Sequence, residues 1–247
     1  MATEIEQRWR AAVPGAVLLD GFHALKHAVR FGADVRVVVA ADRKAALAMA
    51  EELSGDITDR LDALITEVPE ETLGRLVPRV HPTGIAALAG LPASDAVRAA
   101  FDRTPRPAPV VVLENPRNLG NVGAVIRLAA GFGVTGVATT GTMDPWHANV
   151  VRGSAGLHFA TAVARFDPDE LPAGPVHVLD PHGEDLRAVH VPDDAVLVFG
   201  SERHGLSPAM RARAVRRFAV PMQPGVSSFN LATTVAMALF RWSQERL

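Results

Sequence analysis

The chain has 247 residues, 48% of them hydrophobic, a net charge of −2 and no cysteine. Its length and apolar fraction suit one large or two medium globular domains and argue against disorder. The missing cysteines exclude disulfides, thiolate catalysis and Cys-ligated zinc or iron–sulfur sites. The near-neutral charge argues against a protein that coats nucleic acid non-specifically, although a local basic patch is compatible with it. Apolar runs such as VRVVVAA (35–41) are far shorter than the roughly 18 residues of a membrane span, and MATEIEQRWR lacks a signal-peptide core. The expectation is a cytoplasmic protein.

Residues 1–12 read as a short amphipathic lead-in. VLLDGFHALKHAVRFG then reads as a turn and a helix, and VRVVVAA as a buried strand. AALAMAEEL is helical, ALITEVP a strand, and PEETLGRLV a helix with Pro69 beside its first turn. HPTGIAALAGLP leads through a turn into an apolar strand, which completes a small α/β unit. PASDAVRAAFDRTPRPAP, with four prolines, interrupts the pattern, so the boundary is placed near residue 105. The expected domains are 1–105 and 106–247.

Beyond the boundary strand and helix signals alternate: VVVLE, GAVIRLAAGFG, TGVATTG, HANVVRGSAG, VHVLD, AVLVFG, PAMRARAVRR, FAVPM and LATTVAMALFRWSQ. Continuous apolar strands separated by helices predict a mainly parallel sheet covered on both faces. Three segments run from such a strand through a polar, Gly-rich turn: ENPRNLGNVGAVIRLAAGFG (114–133), VLVFGSERHGLS (196–207) and VPMQPGVSSFNLATTVAMALF (220–240). Open α/β sheets bind ligands at strand ends, so the three loops predict one composite site.

In the first loop, a helix beginning near Gly123 leaves Asn121 in the turn and carries Arg127 about one turn inward. Arginine on an otherwise apolar helix requires an internal ion pair or a cleft that receives an anion. In the second loop Glu202 is the only acid between Asp194 and Glu245. It suits a cationic ligand or Arg203, while His204 is either a catalytic base or a solvated turn residue. In the third, Ser227, Ser228 and Asn230 precede an apolar helix and either cap it or line the site. Arg203, Arg211, Arg213, Arg216 and Arg217 fall within fifteen residues without an acid, as a solvated helix face or a phosphate-binding stripe.

Several chemistries are absent. The first loop is not GxGxxG and no acid stands about 20 residues on to hold a ribose; position 141 is Gly, and Asp144 lies in a different, Pro-flanked context. No GxSxG elbow occurs, RGSAG (152–156) being the nearest approach. No histidine spacing suits zinc, and the only lysines, Lys26 and Lys44, are far from any phosphate loop. The site is therefore built from Asn, Arg, Glu, Ser and backbone amides.

These residues resemble the three motifs of the SpoU (TrmH-type) branch of the SPOUT methyltransferases, which transfer a methyl group from S-adenosylmethionine to a ribose 2′-hydroxyl of RNA. NPRNLGNVGAVIRLAAGFG carries the first with Asn121 and Arg127, GSERHGLS the second with Glu202, and MQPGVSSFNLATTVA the third with Ser228 and Asn230. The resemblance covers residues 108–247, DPWHANVVRGSAGLHF included. The first hundred residues resemble the ribosomal-protein-like, RNA substrate-binding domain of ribosomal-RNA members.

The resemblance implies an α/β SPOUT domain with a deep trefoil knot near the C-terminus and a homodimer formed through the knotted domain. It implies S-adenosylmethionine held around Thr140, Gly141, Gly200, Val220, Met222, Ser228, Asn230 and Leu231, with no metal and no membrane. It assigns catalysis to Arg127, supported by Asn121, Glu202, Ser228 and Asn230. Arginine, protonated below a pKa of about 12, suits electrostatic positioning better than base catalysis. Ribosomal RNA is the expected substrate; the alternatives are transfer RNA or a non-catalytic, RNA-binding ribosome-assembly factor. The motifs encode neither the target nucleotide nor a housekeeping or resistance role.

Overall fold

The computed structural model describes residues 3–244 and 246, which form two compact units. The first comprises the chain through Ala93 together with Trp146–Ala160; the second comprises Ser94–Pro145 and the chain from Thr161 onward.

In chain order the first unit contains α1 (Glu4–Ala12), β1 (Ala16–Asp20), α2 (Phe22–Arg30), β2 (Val35–Ala40), α3 (Arg43–Ser54), α4 (Thr58–Leu64), β3 (Ile65–Glu67), α5 (Glu70–Leu76) and β4 (Ile85–Gly90). Its sheet runs β1-β4-β2-β3, with β4 antiparallel to both neighbours and β2 parallel to β3. The VLLD segment, read from sequence as a turn, is strand β1, because Val17 and Leu19 alternate inward in period two. α2 presents Phe22, Leu25, Ala28 and Val29 to the core, the i, i+3, i+4 spacing of one buried helix face.

The second unit contains α6 (Ser94–Asp102), β5 (Val110–Leu113), α7 (Leu119–Phe132), β6 (Gly136–Thr139), and, after α8 (Ala148–Gly153) of the first unit, β7 (Ala162–Arg165), β8 (Val176–Asp185), β9 (Val196–Phe199), α9 (Pro208–Arg213), β10 (Arg216–Ala219) and α10 (Leu231–Gln244). Six strands in the order β10-β8-β9-β5-β6-β7 pair in parallel throughout. The central β5, β6 and β9 are buried at every position, as VVVL, GVAT and VLVF require when helices cover both faces. Edge strand β10 carries Arg216 and Arg217, charges that blunt an exposed edge.

The structure divides the chain between residues 93 and 94 rather than near 105. Three of the four prolines follow a helix, α6, whose Phe101 is fully buried and meets the Phe166 ring edge-on at 5.0 Å. Residues 146–160 also depart from the expected division. Val151 packs in the first unit's core, and a Cβ on Gly156 would lie 2.5 Å from the Ala24 carbonyl oxygen. The arginine stripe is not one helix face, since α9 ends at Arg213 and β10 begins at Arg216. Arg211 pairs with Asp180 and Arg216 with Glu184, whereas Arg203 and Arg217 are exposed.

Candidate active site

The three loops leave the C-terminal ends of β5, β9 and β10 in the second unit. Loop one enters α7 four residues earlier than expected. Asn118 is the N-cap, accepting the Asn121 N–H at 3.0 Å, so Asn121 sits in the first helical turn with its side chain free to bond elsewhere. Its Nδ2 donates to Glu202 Oε1 at 2.8 Å, and its Oδ1 accepts from Asn230 Nδ2 at 3.0 Å. Asn230 in turn caps α10, its Oδ1 accepting from Ala232 N–H (2.9 Å) and Thr233 N–H (3.3 Å). One chain of side-chain hydrogen bonds thus joins a residue of each loop.

Glu202 also accepts the Arg117 N–H at 3.3 Å. Desolvation raises its pKa, but hydrogen bonds from Asn121, from its own backbone and from the Arg117 and Asn118 amides outweigh this, so the carboxyl is held below its ordinary value. Glu202 therefore bonds amides, not Arg203. The loop that presents it is closed by paired backbone hydrogen bonds between Ser201 and Gly205 (3.1 and 2.9 Å). Gly200 permits this closure, since a Cβ there would lie 2.2 Å from the Gly205 carbonyl carbon. His204 is exposed on this turn, its N–H donating to Ser201 Oγ at 3.2 Å.

Arg127 is exposed on α7, and no described residue pairs with its guanidinium. The internal ion pair weighed from the sequence is not formed with any described residue, and the exposed guanidinium is open to solvent. Arg127 stands six positions from Asn121, roughly 9 Å along the axis.

Ser228, exposed, lines a cleft of about 90 Å³ with Val220 and Met222. Leu179, Phe229 and Ala219 give the cleft apolar walls, while Asp180, Ser227 and Ser228 add polar groups. Such a lining fits part of a nucleoside-bearing cofactor, with apolar surface for ring faces and oxygens for its edges. Leu231 is buried at the start of α10 beside Asn230. Thr140 and Gly141 follow β6, the strand beside β5, and pack against loop one. Thr140 Oγ1 accepts the Asn115 N–H at 3.1 Å, and Gly141 (φ +83°) packs against Asn115 Oδ1 where a Cβ would lie 2.5 Å away.

Sequence reasoning missed Glu114, which accepts from Ser207 N–H (2.8 Å) and Ser207 Oγ (2.6 Å) and so clamps loop one to loop two. The Ser207-Pro208 pair, an N-cap followed by proline at the first helical position, is the signal that marked that helix start. Among the described residues no group of three His, Asp or Glu gathers to hold a metal, and no helix is long and apolar enough to cross a membrane.

The model of the SpoU rRNA methylase family matches residues 108–240, more than half of the chain and all three loops. The chain belongs to the SpoU family. A 23S rRNA (uridine(2479)-2′-O)-methyltransferase of Streptomyces viridochromogenes is 26% identical over 265 residues, covering 98% of this chain and 90% of the relative. A tRNA (cytidine(34)-2′-O)-methyltransferase of Polaromonas is 37% identical over 153 residues, covering 54% of this SpoU chain and 89% of the relative. The AdoMet-bound rRNA methyltransferase of Sinorhizobium meliloti shares the fold with a TM-score of 0.77 at 22% identity, covering 99% and 96% of the two chains.

Proposed function

We propose that this SpoU protein is an S-adenosylmethionine-dependent methyltransferase whose acceptor is a ribose 2′-hydroxyl of ribosomal RNA. The observation that carries the reading is the Glu202–Asn121–Asn230 hydrogen-bonded chain, which ties the three family motifs into one site on the unit that also carries Arg127, an arginine paired with no described residue. The cofactor, when bound, supplies a methyl group made electrophilic by its sulfonium. Val220, Met222, Ser228 and neighbouring backbone would hold it in the cleft, with Gly200, Leu231, Thr140 and Gly141 shaping the loops around it.

Arg127 orients the 2′-hydroxyl and stabilises the negative charge that develops on its oxygen as the proton passes to a phosphate oxygen of the RNA. A guanidinium takes up no proton near neutral pH, so its role is electrostatic. Asn121, Glu202 and Asn230 lock the loops that surround it, and Ser228 contacts the ligand. Ribosomal RNA is favoured over transfer RNA because the ribosomal relative aligns along 98% of the chain, whereas the transfer-RNA relative covers 54% of it. The first unit would then bind the RNA.

The same reading includes a trefoil knot near the C-terminus, a homodimer through the second unit and a cytoplasmic location. Exposed Phe229 and Phe240 on that unit support the dimer. Mapping 2′-O-methyl groups in RNA from cells with and without the protein tests the proposal. Loss of one ribosomal methyl group is the expected result; loss of a transfer-RNA methyl group, or of none, overturns it.

A further inference from the structure

The cleft forms where β8 leaves its ladder. Arg217 pairs with Val178, but the next residue, Phe218, pairs with Glu184, so residues 179–183 bulge out of the sheet. Bulges re-aim side chains, and this one sets Asp180 in the cleft wall beside Val220 and Ser228. Tight packing holds it there: a Cβ on Gly183 would lie 2.5 Å from the Phe218 nitrogen.

Asp180 is only 4% exposed. Its Oδ1 accepts the His182 N–H at 3.0 Å, and its Oδ2 lies 3.1 Å from Arg211 Nε, which is not aligned to donate a hydrogen bond to it. A buried ion pair is weak evidence for stability, since apolar residues of similar volume serve folding at least as well. Its place on a ligand-sized cleft points instead to recognition.

We propose that Asp180 accepts a hydrogen bond from the ribose hydroxyls of the cofactor's adenosine and acts as a specificity residue of the methyl-donor site. The inference rests on the cofactor reading given above. Charge selects the ribose over the cationic amino-acid end: with Arg211 in contact, the pair is net neutral and attracts a cation weakly. An ionised oxygen nonetheless remains a strong acceptor for a neutral hydroxyl. A cleft of about 90 Å³ with apolar walls takes one sugar ring more readily than a whole cofactor. The acid that a dinucleotide fold would place about 20 residues after its glycine loop is here supplied by a different strand.

Isothermal titration of the full chain with S-adenosylhomocysteine and its 2′-deoxy and 3′-deoxy adenosyl analogues tests this without any substitution. At least one deoxy analogue binds roughly 10- to 100-fold more weakly, the effect of one hydrogen bond to a charged acceptor. Asp180→Asn weakens the parent ligand comparably, and the deoxy loss then shrinks because both changes remove one contact. Equal affinity of the unmodified protein for all three ligands overturns the assignment, as does full additivity in the variant. If S-adenosylhomocysteine and S-adenosylmethionine both fail to bind, the cofactor reading itself falls, a result distinct from equal binding of the analogues.

Discussion

Arg127 differs from Glu202 in that no described residue neutralises it. An exposed guanidinium on a helix whose neighbouring positions are apolar contributes little to folding, so Arg127→Ala should leave thermal unfolding and cofactor affinity unchanged. The methylation rate should fall by roughly 10²- to 10³-fold, the usual consequence of removing one donor to a developing oxyanion. Retained activity overturns its catalytic role. Glu202 works oppositely, through bonds already made. Its folded-state pKa lies below the ordinary value, so its contribution is complete above the ordinary glutamate range of about 4.3 and is lost as pH falls through the folded value. The Asn121 side-chain amide resonances, followed by NMR, should shift in that acidic window in the natural protein and stay flat in Glu202→Gln.

Helix starts and loop closures set the precision of the site. Asn118→Ala removes the α7 cap and should cost about 1 kcal/mol, a fall in Tm of about 2–4 °C for a chain of this size. Because that cap also fixes the turn carrying Asn121, the rate should fall with stability. Gly200→Ala places a methyl against backbone that has nowhere to move, and overpacking of this kind costs about 1–3 kcal/mol. Calorimetric unfolding checks both. The elements of the second unit were legible because continuous apolar strands and long periodic helices announce themselves. The three loops were legible because glycine, asparagine and serine cluster only where backbone must turn. Loop closure was not. The partners Glu114–Ser207 lie 93 positions apart, and the β8 bulge bearing Asp180 depends on a register that pairing with β10 imposes. Helix α6 was hidden by the prolines after it, although Val97 and Phe101 keep helical spacing.

At the scale of the molecule, the second unit exposes Val215, Val226, Phe229 and Phe240 at 43–69% of their surface. Light scattering should give twice the chain mass for the natural protein and the single mass for Phe240→Asp; a monomeric natural protein sinks the dimer. The division of units also bears on truncation. Removing residues 3–93 takes away the core in which Val151 is buried, so the remainder should be cut by protease within 146–160, and replacing that segment with a short linker should restore resistance. Retained RNA affinity in the linked fragment contradicts RNA binding by the first unit.

The excursion of residues 146–160 also sets a schedule for synthesis. A nascent chain that has delivered all four strands of the first sheet still lacks α8, whose Val151 fills the core beside Leu19 and Phe22. At about 5–20 residues per second, the interval between the appearance of residues 93 and 160 is roughly 3–13 s. For that time the amino-terminal sheet waits with an open apolar face while β5, α7 and β6 emerge. Pulse proteolysis of stalled ribosome complexes should find the amino-terminal unit sensitive until residue 160 has cleared the exit tunnel, and protected afterwards.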